Sequence, residues 1–148
     1  MKIAPSYFAD TSFGISLLEE GDDCHDRAMA WQRRVVAEHN ALVTTEPVMW
    51  ELLNFFSAPP LRHRGLQLYR GAHNRREISV MDFDPDLCRA AITLYSNRMD
   101  KEWGVVDCFS FELMRIRGMK YALTADHHFE QAGLVALLLQ DPSTFVTA

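Results

Sequence analysis

A rhythm constrains this chain more than any single residue. Short apolar runs of strand type, "IAPSYFAD", "ALVTT", "ISVMDF", "YALT" and "LVALLL", alternate with longer stretches of helical period. Parallel strands cannot be joined by a tight turn; each pair needs a crossover of a dozen or more residues, usually a helix. The alternation therefore predicts a parallel sheet covered on both faces. The helical stretches carry their own punctuation. Asp22 or Asp23 is placed to cap "CHDRAMAWQRRVVAEHN", and Thr45 precedes a helix with Pro47 near its first position. That helix stops before Pro59-Pro60, Asp84-Pro85 opens another, and Gly118 ends "VVDCFSFELMRIRG".

The length of 148 residues fits one α/β domain spanning 1–148, and the chain shows no repeat, low-complexity tract or long linker. No apolar run approaches the roughly 20 residues of a membrane span. "MKIAPSYFAD" lacks the apolar core of a secretory signal, so no membrane association and a cytoplasmic location are expected. Cys24, Cys88 and Cys108 are far apart and form no CxxC pair; buried reduced thiols are the expectation. A net charge of −5 argues against a generic nucleic-acid coat without excluding a nuclease, since charge distribution matters more than the total.

Sites in open α/β sheets form outside the carboxyl ends of the strands, so the residues found there carry the argument. The first strand ends in Asp10, within "FADTS", and "YALT" runs out into Asp126. Asp107 lies where a loop meets a helix in "VVDCF", and Glu51 interrupts "VMWELLNFF" at the margin of its apolar stripe. Each also has a plainer reading. Asp10, Asp107 and Asp126 are all placed to cap helices, and Glu51 alone reads as a half-exposed surface residue. Their shared location favours a joint role, because a lone buried carboxylate is costly without water, a partner or a metal. Asp126-His127-His128 raises a second possibility, a zinc site. HExxH is absent, however, and successive helical residues do not share a face. GxGxxG, GxxxxGK[ST] and GxSxG are absent as well, which argues against a nucleotide-binding loop and an α/β-hydrolase.

The ordered set "DTS" at Asp10, "TTEPVMWELLN" around Glu51, "VVDCFSFELMRIRG" at Asp107 and "LTADHHFEQAG" at Asp126 resembles the PIN-domain ribonucleases. It looks most like the VapC-type toxins of bacterial toxin–antitoxin pairs. The resemblance spans nearly the whole chain, and its last two blocks are the most specific. It implies a three-layer α/β/α sandwich with a five-stranded parallel sheet, and an acidic site binding Mg²⁺ or Mn²⁺. Asp10, Glu51, Asp107 and Asp126 match the family's acidic positions, and Ser12 matches a small hydroxyl residue that supports the first aspartate. The resemblance further implies an RNA substrate, a cognate antitoxin and a homodimer. Two departures stand out. Val106 occupies a position where a hydroxyl residue is common, and His127 stands where an arginine is usual.

Magnesium prefers oxygen ligands and keeps several waters, which suits carboxylates facing a substrate phosphate. On this reading Asp10 and Asp107 contact the metal, Glu51 positions water and Asp126 completes the anionic site. Candidate RNA contacts are Arg62, Arg64, Arg70, Arg75 and Arg76, in a basic stretch that also holds His63 and His73, together with His127. A solvated helix face is the plainer account of that stretch. Arg115, Arg117 and Lys120 lie a helix length beyond Asp107, remote from the metal. Trp50 and Trp103 read more readily as core than as base-stacking residues. Core packing is likewise the stronger reading for Phe13, Leu17 and Trp31. A noncatalytic RNA-binding or regulatory protein of the same fold is the alternative function; retention of all four acidic positions counts against it.

Overall fold

Strand Tyr7–Ala9 (β1) sends Tyr7 into one hydrophobic cluster and Phe8 into another, because successive side chains point to opposite faces. Strand Tyr121–Leu123 (β4) repeats this: Tyr121 and Leu123 join the first cluster and Ala122 the second. When both parities of a strand are buried, the sheet needs helices on both sides. The computed structural model, which describes residues 3–148, has that three-layer α/β/α architecture. With Leu42–Thr45 (β2), Ile78–Met81 (β3) and Val135–Ala136 (β5), the sheet has five parallel strands in the order β3-β2-β1-β4-β5.

The helices Thr11–Leu18 (α1) and His25–Ala37 (α2) bury Phe13, Ala28, Trp31 and Val35 against one face. On the other lie residues of Glu46–Phe55 (α3), Arg62–Asn74 (α4), Pro85–Asn97 (α5), Val105–Ile116 (α6) and His127–Gln131 (α7). The chain runs outward from β1 through β2 to β3, then returns across the sheet to β4. The order therefore reverses between β1 and β4, and the cleft beyond their carboxyl ends is where such sheets bind ligands. Gly14 brings α1 close to α3, since a Cβ there would lie 2.9 Å from both terminal carbons of Leu52. The helix ends follow the sequence signals at Thr45, whose hydroxyl accepts from Val48 N–H, and at Asp84, which accepts from Leu87 N–H. Gly118 has φ +63°, the left-handed geometry that suits a residue without a side chain.

Four local expectations need correction. "LVALLL" makes only a two-residue strand and then a 3-10 turn, Leu137–Leu139. An all-apolar run carries no parity, and Leu137 and Leu138 bury better by leaving the ladder to pack with Trp31. Neither Asp22 nor Asp23 is the N-cap of α2; that position is Cys24, and Asp22 instead accepts from Cys24 N–H and the Ser16 hydroxyl. All three cysteines are free, but only Cys108 is buried, with Cys24 and Cys88 half-buried. Trp103 is in the core as expected, whereas Trp50 is exposed. No helix among the described residues is long and apolar enough to cross a membrane.

Candidate active site

Asp10 directly follows β1 and is buried, with 7 % of its surface exposed. It occupies the N-cap position of α1, yet its carboxylate caps nothing. Asp10 Oδ2 accepts from the Thr124 hydroxyl at 2.9 Å, just beyond β4. Thr124 Oγ1 also accepts from Asp126 N–H at 3.1 Å and lies 3.0 Å from the Ser12 hydroxyl, which accepts from Ala125 N–H. One buried hydroxyl thus ties the residues after β1 to those after β4. Sequence reading missed Thr124; its position two residues before Asp126, at the end of a strand, was the available signal.

Glu51 reaches the same edge from α3, where its Oε1 accepts from the Thr11 hydroxyl at 2.6 Å. Thr11, also missed, is the residue next to Asp10. Asp107 sits in the first turn of α6, and its Oδ2 accepts from Gly104 N–H at 3.0 Å. Asp126 caps α7, its Oδ1 accepting from His128 N–H at 2.9 Å, so the plain capping account holds for that oxygen. His128 Nδ1 stands between two carboxylates, 3.3 Å from Asp126 Oδ1 and 3.6 Å from Asp107 Oδ2. These separations permit charge attraction, but the buried nitrogen makes no aligned hydrogen bond.

The electrostatics mark the four acids as neighbours. Burial pushes the Asp10 carboxyl up to about 7, and the charges of Asp107 and Glu51 add to the rise against the lowering effects of the Thr11 backbone N–H and the Thr124 hydroxyl. Glu51 is solvent-accessible as a residue, yet desolvation of its carboxyl, with Asp107 and Asp126 nearby, raises it too. Asp107 is raised by burial and by Asp126, against the lowering effects of Gly104 N–H and His128. Buried carboxyls raised first by desolvation and further by neighbouring carboxylates are suited to a cation. Their hard oxygen donors match Mg²⁺ or Mn²⁺ better than a soft metal, so the donor chemistry fits such an ion.

The adjacent histidines lie closer together than helical spacing suggested. Ligand atoms of Asp126, His127 and His128 lie within 4.8 Å of one another, the only such trio among the described residues. The two rings are 4.4 Å apart, because both residues begin a five-residue helix whose first turn folds about its Asp126 cap. The His127 side chain is 67 % exposed, its Nδ1 3.7 Å from Asp126 Oδ1. The four carboxylates span a wider site, which a cation keeping several waters tolerates.

The basic residues of α4 and its end are dispersed. Arg62 donates to the Ser57 carbonyl, and Arg64 is tied to Glu19 Oε1 and the Leu18 carbonyl. Arg70, Arg75 and Arg76 are exposed, and Arg75 lines the same groove as Asp10. That groove, about 480 Å³, is walled by residues such as Phe13, Leu17, Val35 and Leu68.

Thr124→Val keeps the side-chain shape while stranding Asp10 Oδ2 and Asp126 N–H. We expect a stability loss of about 1–3 kcal/mol by urea denaturation, with Thr124→Ser retaining most of the parent value. A Val variant as stable as the parent would show that the hydroxyl does not hold the site together.

Comparison with known proteins agrees with this architecture. A family model described as PIN domain matches residues 7–134. Among solved structures, the crystal structure of Mycobacterium tuberculosis VapC20, described as a sarcin-ricin loop cleaving toxin, is similar at 28 % sequence identity and a TM-score of 0.72. The similarity covers 88 % of this chain and 97 % of that one. No curated protein sequence matches the chain significantly.

Proposed function

The chain belongs to the PIN-domain family, and from that premise we propose that it is a metal-dependent ribonuclease, the toxin of a toxin–antitoxin pair. The observation that carries the reading is the cluster of Asp10, Glu51, Asp107 and Asp126 at the switch point, with the buried Asp10 carboxyl pushed up to about 7. In this reading residues 1–148 act as a single domain. The similarity to a sarcin-ricin loop cleaving toxin makes RNA the substrate class to test first.

Asp10 and Asp107 would hold Mg²⁺ or Mn²⁺. When bound, such an ion lowers the pKa of a water and polarises a phosphate oxygen. The chain's own residues do the positioning. Thr124 and Ser12 fix Asp10 against rotation, and Gly104 N–H fixes Asp107. Glu51 has one oxygen bound to Thr11, leaving the other to orient an attacking water. Asp126 completes the anionic site, steadied by His128 N–H. Arg62, Arg64, Arg70, Arg75, Arg76 and His127 are the proposed phosphate contacts, of which His127 is next to Asp126 and Arg75 lines the groove that begins at Asp10. The protein acts as a homodimer, and its antitoxin lays an apolar segment into the groove that begins at Asp10, with a basic group turned toward that carboxylate.

The test is cleavage of an RNA panel that includes a sarcin-ricin stem-loop, with Mg²⁺, Mn²⁺, Zn²⁺ or chelator. Cleavage with Mg²⁺ or Mn²⁺ that chelation abolishes is the expected result. Tight RNA binding without cleavage under every metal would favour the noncatalytic alternative. Cleavage with zinc alone would move the chemistry to Asp126, His127 and His128.

A further inference from the structure

One nitrogen beside the acidic site has no use in the mechanism above. His128 Nδ1 is buried and makes no hydrogen bond, although it faces Asp126 Oδ1 at 3.3 Å and Asp107 Oδ2 at 3.6 Å. A buried polar atom without a partner is costly, so such a nitrogen calls for a ligand. The His127 ring stands 4.4 Å from that of His128, and its Nδ1 lies 3.7 Å from the same Asp126 oxygen. Two imidazole nitrogens and two carboxylate oxygens are thus gathered, each within 3.7 Å of at least one other.

That donor set differs in kind from the four carboxylates. Magnesium takes hard oxygen donors, whereas imidazole joined to carboxylate suits zinc. Zinc binds nitrogen at about 2.0–2.1 Å and carboxylate oxygen at about 2.0–2.2 Å, in a tetrahedron. Donors at those lengths stand about 3.4 Å apart, close to the separations found here. The exposed His127 ring is free to turn and close the longest of them. Both oxygens are also oriented from behind, Asp107 Oδ2 by Gly104 N–H and Asp126 Oδ1 by His128 N–H. Ligands fixed by such outer hydrogen bonds favour metal binding.

We propose that Asp107, Asp126, His127 and His128 form a zinc site that shuts off the acidic centre, a regulation that rests on the nuclease reading above. A zinc ion held by four protein ligands has no open position for a reacting water, which separates a closed site from a catalytic one. It also occupies Asp107, which Mg²⁺ needs in that reading. Zinc is therefore an inhibitor of this centre and not a substitute for magnesium. His127 is indispensable to it; an arginine there would offer no lone pair to a metal.

The metal-free full chain is titrated with Zn²⁺ against a chromophoric chelator, and with Co²⁺, whose visible absorption reports tetrahedral coordination. Zinc should bind and raise the melting temperature of the parent. His127→Ala, at an exposed position, should weaken zinc about a hundredfold or more and diminish the tetrahedral Co²⁺ band, since losing even an outer-shell partner costs about ten- to a hundredfold. His128→Gln should weaken zinc similarly, while stabilisation by Mg²⁺ should persist in His127→Ala. In cleavage, stoichiometric zinc should suppress the Mg²⁺-dependent reaction of the parent. His127→Ala should need about a hundredfold more zinc for the same suppression.

Zinc affinity unchanged in His127→Ala would overturn the site, as would an octahedral Co²⁺ spectrum in the parent. Cleavage supported by zinc alone would overturn the inhibition. Zinc bound through these histidines, with no cleavage under any metal, would sustain the site while removing the nuclease reading. Mg²⁺-dependent cleavage indifferent to stoichiometric zinc would keep that reading and overturn the regulation.

Discussion

On the proposed mechanism, Asp107→Asn should lower magnesium-dependent RNA cleavage by about a hundred- to a thousandfold, the range seen when one electrostatic group is removed from a preorganised site. The substitution is nearly isosteric, and the amide oxygen can still accept from Gly104 N–H, as Asp107 Oδ2 does. What disappears is the negative charge. That charge is maintained at some cost, because burial and Asp126 both raise the Asp107 carboxyl. Its loss should therefore leave the fold intact while weakening the hold on a divalent ion. Two measurements separate these effects: cleavage against magnesium concentration, and urea denaturation in chelator. The expected pattern is lost activity, an increased magnesium requirement and undiminished metal-free stability. Undiminished cleavage by the folded variant would remove Asp107 from the metal site, whereas a large stability loss would make it a structural residue of α6.

The carboxylates and the sheet were legible in the sequence for the same reason. Asp10, Asp107 and Asp126 lie where one element gives way to the next, and Glu51, inside α3, stands out as a polar residue that interrupts an apolar run. Thr45 and Asp84 act as the helix caps their neighbours predicted. The hydroxyl scaffold was less visible. Thr124 looks like an ordinary end to "YALT", and its importance comes from meeting Asp10 across 114 positions of sequence. Thr11 resembles a helix-start residue, but its hydroxyl reaches Glu51 on another helix. Such long-range pairs depend on which strands become neighbours, and local pattern does not encode strand order. The same limit explains Trp50. "VMWELLNFF" has enough apolar residues to fill more than one face, so composition favoured burial. In the fold, Val48, Met49 and Leu52 take the core face and leave Trp50 outside.

The metal-free protein should lose stability as pH rises from about 4 to about 7, and Asp10→Asn should remove most of that slope. The sign follows from the protons held in each state. An unfolded Asp10 ionises near 3.8, whereas burial delays ionisation of the folded carboxyl to about 7. Between those values the folded chain binds more protons, so stability falls with rising pH. Below the window Asp10 imposes no penalty, and above it the penalty is complete, about 4 kcal/mol if the full shift is expressed. Glu51 and Asp107 are raised as well and act in the same sense. His73 also favours lower pH, since its hydrogen bond to the Tyr69 carbonyl and its contact with Glu46 raise it. Comparing parent and Asp10→Asn cancels these shared contributions to first order. Thermal denaturation in chelator should give similar melting temperatures at pH 4 and a higher one for the variant at pH 8. Adding Mg²⁺ at pH 8 should then stabilise the parent more than the variant, because an ion that binds only the folded state adds to its stability by mass action. A parent with no pH slope relative to Asp10→Asn would mean that Asp10 is ionised throughout and that its burial carries no such penalty. A slope without a magnesium response would keep the buried acid but deny it a role in holding the ion.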